Sequence, residues 1–430
     1  MIRVGFLILA LASLVCSPVP SALASSASQP ALPPSTNVAE FSAATGVDED
    51  PAQPLIDALR DVSAQLRATH YAQSSDIAHQ NTEFFLSGLL AQSWELANQL
   101  GQLDTPYFTR SARIEGMPGL YNPDNVYRSA LLEPDGVYRV YGQRGTHAEL
   151  TFQILDQYPI IGLGKNLTVV RPDELGAKHG KWFEIYLGGE RPRGKIWLPL
   201  PKNALAVVAR QSFADWHEIP STLFIERIDQ PLARRHQSQF VLAGTALRQA
   251  VRLWADTYVP TLEQTTKVNE LPVPKASDVS AGGLGGQQNI MARYRIGKDE
   301  ALVITVRKAK AVYQGIQLGD PWFVTPNTLR HQVSLTAKQA HIDDDGFIRF
   351  VISLEDPGIP NWLDAAGNPE GYVFMRWQGM KMPLSAEDAP SAKLVPLSAL
   401  HATLPPNTPL ISAEDRHTQL VQRKWAPQIR

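Results

Sequence analysis

Cysteine is almost absent from the sequence, which contains a single one, Cys16, in 430 residues. Cys16 directly follows the apolar run VGFLILALASLV, in a leader that starts with Arg3 and reaches a small-x-small site ending at Ala24. This pattern is typical of a secretory signal peptide over residues 1–24, with an apolar core too short to span a bilayer. Val15 rather than a small residue precedes Cys16, which favours simple cleavage over lipidation. The mature chain would then have no thiol, which excludes disulfides, thiolate nucleophiles and cysteine metal sites, and we expect export to the periplasm or beyond the cell.

The sequence also lacks a block of basic charge. Lys and Arg number 40 against 42 Asp and Glu, for a formal net charge of −2. Nucleic acids and anionic membrane surfaces attract proteins through positive patches. We therefore expect neither a nucleic acid nor an anionic membrane surface as a partner. We also expect no stable membrane span after the leader is cleaved, because its apolar core is short. Apolar residues make up 44% and charged residues 19%, which indicates a globular chain.

Motifs that indicate a metal, a cofactor or an activated nucleophile are missing as well. The sequence has no His-Glu-x-x-His motif and no Gly-x-Ser-x-Gly elbow. The glycine-rich stretch SAGGLGGQQN (280–289) lacks the lysine and the preceding strand that a phosphate loop needs. His341 and Asp343 could share a strand face, but the DDDG that begins at Asp343 is typical of a hairpin turn. The sequence therefore predicts no metal site and no cofactor.

The periodicity of apolar residues predicts three helices. Residues 25–53 are rich in Ser, Ala and Pro without a period, which indicates a flexible lead-in. Helical spacing over 55–66 predicts the first helix. Helical spacing over 82–100, with Asn81 as its cap, predicts the second, and a similar pattern at 244–265 predicts the third.

Strand patterns occupy most of the remaining chain. In AELTFQI (148–154) apolar and polar residues alternate, which is typical of a half-buried strand. Similar short patterns recur from about 137 to 228 and again from 301 to 377. Alternation on many short strands favours antiparallel sandwiches over a parallel sheet with crossover helices.

The order of helix, strands, helix and strands repeats at an almost constant offset. DGVYRVYGQRGTHAELTFQI begins at Asp135 and DEALVITVRKAKAVYQGIQL begins at Asp299, and each contains two strand patterns around a basic turn. Further corresponding pairs are Trp197-Leu198 with Trp362-Leu363, Arg210 with Arg376, and the helix at 82–100 with 246–264. This correspondence predicts an internal duplication.

The predicted fold is mainly β with accessory α: two tandem antiparallel β-sandwich domains, jelly-roll-like, from an internal duplication and each preceded by helix. We expect the helices to cover open sheet edges or the seam between the copies. The predicted boundaries are 1–24 for the signal peptide, 25–53 for the lead-in, 54–239 for the helices and first sandwich, 240–398 for the helix and second sandwich, and 399–430 for a C-terminal tail.

Several blocks of the sequence resemble a known family. They are KIWLPLP, VVARQSFADW, DEALVITVR, LGDPWF, RHQVSL, SLEDPGIPNWLDAAG, EGYVFMRW and VPLSAL, in order from about residue 80 to 400. They look like bacterial proteins catalogued as domain of unknown function 1214, and EDPGIPNWLD is the most specific block. The resemblance implies paired jelly-roll-type β-sandwiches with accessory helices. It implies no settled activity, so no catalytic residue is carried over.

The loop SLEDPGIPNWLDAAG (353–367) contains the strongest candidate site. The corresponding GGERPRGKIWLP of the first copy shares its Pro/Gly turn and its Trp-Leu pair, which indicates that these shared features are structural. Glu355, Asp356, Asn361 and Asp364 are peculiar to the second copy. Paired carboxylates can divide acid and base roles when their environments differ. The alternative is that they bond backbone amides around a proline-rich turn.

Strand residues around this loop extend the candidate set. The guanidinium of Arg330 or Arg376 could bind a carboxylate or sulfate of a ligand, or could form a buried pair between strands. His331 is a possible general base. The candidate catalytic residues are Glu355, Asp356, Asp364 and His331, and the candidate ligand-binding residues are Arg330, Asn361, Trp362, Arg376 and Trp322.

Three functions are compatible with these features. The first is an exported protein that binds a glycan or another amphipathic small ligand in a cleft of the second sandwich, because aromatic side chains bind sugar rings well. The second is an exported hydrolase or lyase that uses the Glu355, Asp356 and Asp364 loop. The third is a structural or assembly protein of the cell envelope. Fold analogy cannot choose among them.

Overall fold

The structure, a computed structural model, describes residues 50–109, 116–158, 160–162, 164–230 and 237–430. The predicted signal peptide and nearly all of the predicted lead-in lie outside these residues. No helix in the described ranges combines the length and the apolar character needed to cross a bilayer.

Two helices begin the described part of the chain, α1 (Gln53–Arg67) and α2 (Asp76–Leu100). The side chain of Ser75 accepts a hydrogen bond from the backbone N–H of Ala78 at 3.2 Å, so Ser75 is the N-cap of α2. The prediction that Asn81 caps this helix is therefore wrong. Asn81 lies inside the helix, because the helix begins at Asp76 and its cap is six residues before Asn81.

The first sandwich consists of two sheets that share one apolar core. Its strands are β1 (Asn125–Leu131), β2 (Tyr138–Gln143), β3 (Glu149–Leu155), β4 (Asn166–Val170), β5 (Trp182–Leu187), β6 (Trp197–Leu198), β7 (Ala206–Ser212) and β8 (Phe224–Arg227). The sheet orders are β1-β7-β3-β4 and β6-β5-β2-β8. Alternate residues of both sheets, such as Val140, Phe152 and Ile185, are buried in the core between them.

A helical segment connects the two sandwiches. It consists of α3 (Gln239–Val251), a π-helical stretch (Arg252–Tyr258) and α4 (Val259–Thr265). Pro260 has no N–H group to donate, so the α-helical hydrogen-bond ladder cannot continue unbroken. The wider π turn lies directly before this proline, as such bulges do where the ladder is interrupted. The predicted helix at 244–265 is thus present but begins earlier and changes type.

The second sandwich also consists of two sheets over a shared core. Its strands are β9 (Lys275–Ala276), β10 (Gln288–Arg295), β11 (Glu300–Arg307), β12 (Tyr313–Gly319), β13 (Ser334–Thr336), β14 (Phe347–Ser353), β15 (Trp362–Asp364), β16 (Glu370–Gln378) and β17 (Ser391–Pro396). The sheet orders are β13-β12-β16-β10-β9 and β15-β14-β11-β17. Ile304, Phe350 and Met375 are fully buried between the sheets.

The two sandwiches correspond strand for strand. Replacing β1, β7, β3 and β4 by β10, β16, β12 and β13, and β6, β5, β2 and β8 by β15, β14, β11 and β17, converts the first pair of sheet orders into the second, with β9 added at one edge. The prediction of two tandem sandwiches from an internal duplication is confirmed. One pair in each sandwich departs from the antiparallel rule, since β5 pairs with β6 and β14 pairs with β15 in parallel.

The helices pack against loops from both sandwiches. Trp322, after β12, stacks on Phe85 of α2 with 4.9 Å between ring centroids. In the π-helical stretch the indole N–H of Trp254 donates to the carbonyl of Ile160, after β3, at 3.3 Å. The helix before each sandwich therefore contacts a loop of the other one. Both sandwiches belong to a single packed unit, and the domain boundary predicted at 239/240 stays a prediction.

Residues 399–430, predicted as a tail, contain two further helices, α5 (Leu400–Thr403) and α6 (Ala413–Ile429). The side chain of Ser412 caps α6 by accepting a hydrogen bond from the N–H of Asp415 at 3.0 Å. α5 and α6 pack on the second sandwich, where they determine the surroundings of the predicted site.

Candidate functional site

Asp356, in the loop after β14, is bound by an arginine of the C-terminal helix. Arg416 Nε lies 2.8 Å from Asp356 Oδ2 and Nη2 lies 3.1 Å from Oδ1, which is a bidentate pair. Asp356 Oδ1 also accepts a hydrogen bond from the N–H of Gly358 at 2.9 Å. The same guanidinium lies 5.2 Å from the ring centroid of Trp362. Asp356, a predicted catalytic residue, thus anchors α6. Arg416 of this helix covers Trp362, a predicted ligand-binding residue.

Three arginines at intervals of seven residues lie along one side of α6: Arg416, Arg423 and Arg430. Arg423 donates to the carbonyl of Thr328, and Arg430 donates to the carbonyl of Asp215 in the first sandwich at 2.8 Å. Burial lowers the pKa of both Arg423 and Arg430 to about 10. The segment therefore ties the second sandwich to the first. The second sandwich is followed by α6 and has the carboxylate of Asp356 to bind it. The first sandwich is followed by α3 and has no carboxylate at the position of Asp356.

Asp356→Asn is expected to lower the free energy of unfolding by about 1 to 2 kcal/mol, because it removes a charge-assisted pair to a buried guanidinium. Asparagine keeps the size of the side chain and can still accept from Gly358. Glu355→Gln is the matched control: Glu355 is exposed and its carboxylate has no partner among the described residues, so a change within about 0.5 kcal/mol is expected. Urea unfolding measures both. Equal midpoints for the two variants would contradict the anchoring role.

His331 and Asp364 form a second, separate contact. His331 Nδ1 lies 2.7 Å from Asp364 Oδ2, and Asp364 Oδ1 accepts from the N–H of Ala366 at 2.8 Å. A carboxylate in this position can orient an imidazole for proton transfer. Within the described ranges no side-chain hydrogen bond or ion pair joins this pair to Glu355 or Asp356. The same ranges contain no group of three or more His, Cys, Asp or Glu side chains that could hold a metal ion. The four candidate catalytic residues therefore do not form one cluster.

Asn361 and Trp362 hold the loop in place. Asn361 is 4% exposed, accepts from the N–H of His341 at 2.7 Å and donates to its carbonyl at 2.8 Å. The indole N–H of Trp362 donates to the carbonyl of Ser353, and that of Trp197 donates in the same way to Gly188. The same bond in both copies supports a structural role for the Trp-Leu pair.

Arg376, Trp322 and Arg330 do not meet at the loop. Arg376 is buried on β16 and donates to Gln317 and to the carbonyl of Leu120, in the interface between the sandwiches. Trp322 is 4% exposed in the helix core. Arg330 is exposed, and its side chain has no partner in the described part of the chain. The placement of Arg376 and Trp322 corrects their grouping with the loop in one ligand-binding set, and strand periodicity alone could not specify this placement.

An exposed aromatic surface lies instead on the first sandwich. Trp182 on β5 and Phe224 on β8 are 64% and 46% exposed, and Tyr141 on β2 is half-buried. The rings of Trp182 and Phe224 are 6.5 Å apart at an interplanar angle of 14°, and those of Tyr141 and Phe224 are 5.3 Å apart at 25°. We call Tyr141, Trp182 and Phe224 the aromatic platform. Its rings are nearly parallel and stack on one another in a row across the sheet.

The platform exists because three strands place their solvent-facing residues side by side. Tyr141 is directly opposite Phe224 in the antiparallel register. The intervening residues, such as Val140 and Ile225, point the other way into the sandwich core. Trp182 is not among the candidate residues that the sequence singles out. Its place at an outward position of an alternating strand is the signal that distinguishes it from core tryptophans.

Charged side chains flank the platform. Arg139 lies 4.3 Å above the ring of Tyr141 and donates to Glu226 at 3.0 Å and to Glu184. Lys195 donates to Glu184 at 2.9 Å. The hydrogen bonds from Lys195 and Arg139 lower the pKa of the Glu184 carboxyl, so it is ionised at neutral pH. The surface therefore offers the exposed aromatic side chains of Trp182 and Phe224 beside polar groups that can still accept and donate hydrogen bonds.

The corresponding face of the second sandwich is covered in part. Ala301, Val303 and Val351 point outward from β11 and β14 into an apolar cluster covered by Leu400 and Leu404. The short helix α5 and the chain after it thus bury a part of this face. The two copies have diverged at this sheet, because the aromatic platform of the first sandwich stays exposed.

Comparisons with known proteins support the fold but assign no activity. No protein-family model matches the chain, and no curated protein matches it. It is similar to the crystal structure of an uncharacterised protein from Burkholderia cenocepacia, with a TM-score of 0.69 and 26% identity over 81% of this chain and 97% of that one. A structure from Vibrio parahaemolyticus matches with a TM-score of 0.42 and 9% identity over 80% and 100%. The resemblance to domain of unknown function 1214 stays a prediction.

Proposed function

We propose that this protein binds a glycan on the aromatic platform of the first sandwich. The observation that carries the proposal is the row of nearly parallel, exposed rings of Tyr141, Phe224 and Trp182 on an open sheet face. Exposed apolar surface of this kind marks binding sites, and aromatic side chains supply rigid contact area. The predicted export of the protein, still a prediction, would bring this face to extracytoplasmic glycans.

A glycan suits this surface better than a purely apolar ligand. Sugar rings have apolar C–H faces that stack on aromatic rings and hydroxyl groups around their edges. Glu184 and Glu226 can accept hydrogen bonds from hydroxyls, and Lys195 and Arg139 can donate to them. An apolar ligand would form no hydrogen bonds with these charged groups and would shield them from water, which is unfavourable.

The proposed ligand site lies on the first sandwich, whereas the sequence predicted a ligand cleft in the second. The cleft predicted beside the Glu355–Asp364 loop is occupied in part by α6, whose Arg416 binds Asp356 and covers Trp362. A hydrolase or lyase at this loop has less support, because its carboxylates do not converge. The His331–Asp364 contact is the feature that favours it.

Loss of Trp182 is expected to weaken glycan binding at least tenfold, equivalent to about 1.4 kcal/mol. The probe is affinity electrophoresis of the full chain in native gels that contain hydroxyethylcellulose, xylan, chitosan or dextran. We expect at least one polymer to retard the wild type, and Trp182→Ala and Phe224→Ala to remove most of that retardation, because each removes a stacking face.

Trp425→Ala is the control for this experiment, since Trp425 is also an exposed tryptophan, 45% accessible, but lies on α6. It should bind like the wild type. The proposal fails if no polymer retards the wild type, or if Trp182→Ala and Trp425→Ala are retarded equally.

A further inference from the structure

The interface between the two sandwiches contains two arginines on corresponding strands. Arg210 lies on β7 and Arg376 on β16, each the central strand of the sheet that faces the other sandwich. Their neighbours in sequence, such as Ala209 and Met375, point into the two sandwich cores, so both arginines point outward into the interface. Arg376 reaches across it to the carbonyl of Leu120 at 3.2 Å.

Neither guanidinium makes a hydrogen bond or an ion pair to a carboxylate in the described residues, although the negative charge of Asp124 partly compensates Arg376. Arg376 is 7% exposed and its hydrogen bonds go to Gln317 and Leu120, both neutral acceptors. Arg210 donates to the carbonyl of Gly282 at 3.1 Å, while its Nε is buried and has no partner among the described residues. Asp124, in the same interface, bonds to a tyrosine hydroxyl rather than to either arginine. Buried cations without a carboxylate partner are unfavourable unless something compensates them.

The two charges are close enough to affect each other. Burial is the main cause of the lowered pKa of Arg376, and the positive charge of Arg210 lowers it further. Arg210 lies 5.3 Å from the ring of Tyr127, and Arg376 lies 3.8 Å from the ring of Phe374. Tyr127, Arg210 and Phe374 are half-buried, so this part of the interface is open to solvent at one side.

The groups beside Arg210 are also donors. Thr151 and Tyr127 flank Arg210 in the register of the sheet, on β3 and β1. Thr151 is 1% exposed and its hydroxyl has no partner in the described ranges. The hydroxyl of Tyr127 accepts a hydrogen bond from Asn125 at 3.0 Å, which leaves its own hydrogen to donate. The set is rich in donors, and the same strands also contain two buried acceptors without a partner in the described ranges, Asn125 Oδ1 and Gln153 Oε1.

We infer that the interface between the sandwiches binds an oxyanion, a carboxylate, sulfate or phosphate group of a small ligand, between Arg210 and Arg376. The planar forks of the two guanidinium groups suit oxyanion geometry and supply the positive charge. Thr151 and Tyr127 donate further hydrogen bonds from the first sandwich. Phe374 and Tyr127 provide aromatic contact for the organic part of a ligand. This site lies on the opposite sheet of the first sandwich from the aromatic platform and does not depend on the glycan proposal.

The first test measures the thermal unfolding midpoint of the full chain with sodium sulfate, phosphate, acetate or benzoate, at constant ionic strength set by chloride. A bound oxyanion stabilises the folded state as the ligand saturates its site. We expect at least one of the four salts to raise the midpoint by several degrees with one-site saturation, and the effective salt identifies the oxyanion. A larger rise of the midpoint with benzoate than with acetate would indicate an aromatic carboxylate ligand. The absence of a shift with all four salts would overturn the inference.

Variants then test the two arginines. Arg210→Gln and Arg376→Gln should each weaken the affinity for the effective salt at least tenfold, and Arg210→Lys should have an intermediate effect because it keeps the charge but loses the fork. Arg330→Gln, an exposed arginine without a side-chain partner in the described residues, is the control and should bind like the wild type. In chloride buffer Arg210→Gln should unfold at the wild-type midpoint or above it, since it removes a half-buried cation that has no ion pair to a carboxylate in the described residues. Should Arg376→Gln not fold, the two Arg210 variants decide the test. Wild-type affinity in Arg210→Gln, or an equal loss in Arg330→Gln, would contradict the site.

Discussion

Asp320→Asn should make the protein more stable at alkaline pH and remove a large part of its pH dependence. Asp320 follows β12, is 1% exposed and accepts a hydrogen bond from the N–H of Val324 at 2.9 Å. Burial raises the pKa of its carboxyl from 3.8 to about 8, and the two backbone N–H groups that oppose the shift, those of Val324 and Trp322, are weaker effects. The ionised carboxylate is therefore disfavoured in the folded state.

The direction of the effect follows from proton linkage. Because the folded-state pKa is higher than the unfolded-state pKa, the folded state retains a proton that the unfolded chain loses between pH 4 and 8. The contribution of Asp320 to stability is complete below pH 4 and is lost as the pH rises to about 8. One pKa unit corresponds to about 1.4 kcal/mol, so a shift of roughly four units is worth on the order of 5 kcal/mol. Asparagine cannot ionise, so the variant should gain most of this free energy at pH 9 and none of it at pH 4.

The measurement is urea unfolding of the wild type and of Asp320→Asn from pH 4 to 9. The two free energies of unfolding are subtracted at each pH. His147 contributes in the opposite direction: burial lowers its pKa to about 2, so its contribution is present above pH 6.5 and is lost as the pH falls. Because both proteins contain His147, its contribution cancels in the difference between their free energies of unfolding. Asp156→Asn is the matched control, because Asp156 follows β3 at the corresponding place but is half-exposed. A pH-independent difference for Asp320→Asn, or the same difference for Asp156→Asn, would be inconsistent with a buried protonated carboxyl.

The duplication could be predicted from sequence because sandwich strands keep a period of two. Val140 and Ile304 alternate with outward residues in the same way, and the Trp197 and Trp362 pairs occupy equivalent positions. Turn chemistry and periodicity are local properties, so a single sequence contains them. The parallel pairing of β6 with β5, and of β15 with β14, is not local, since it depends on where a loop returns the chain.

The candidate site was harder to predict because its partners are distant in sequence. Asp356 differs from its counterpart in the first copy for a physical reason, but the reason is Arg416, sixty residues away. The signal that could have identified α6 is Ser412 followed three residues later by Asp415, a pattern typical of a helix N-terminus. The aromatic platform was missed for a related reason: Tyr141 and Phe224 become neighbours only when β2 pairs with β8.

Trp322→Ala is expected to lower the free energy of unfolding by about 3 to 5 kcal/mol, the range for loss of a large buried aromatic side chain. Trp322 is 4% exposed, stacks on Phe85 at 4.9 Å and contacts Tyr71 edge-on at 5.7 Å. Its indole N–H also donates to the hydroxyl of Thr82 at 2.9 Å. The substitution would leave a cavity between α2 and the second sandwich.

The experiment compares urea unfolding of Trp322→Ala, Trp322→Phe and Trp182→Ala. Phenylalanine can keep the stacking contact with Phe85 but loses the hydrogen bond to Thr82, so an intermediate loss is expected. Trp182 is 64% exposed, so its removal should change stability by no more than about 0.5 kcal/mol while it removes glycan binding. Similar unfolding free energies for Trp322→Ala and Trp182→Ala would mean that Trp322 does not join the first helices to the second sandwich. A loss of stability in Trp322→Ala and a loss of glycan binding in Trp182→Ala would show that Trp322 belongs to the core of this duplicated fold and Trp182 to its ligand surface.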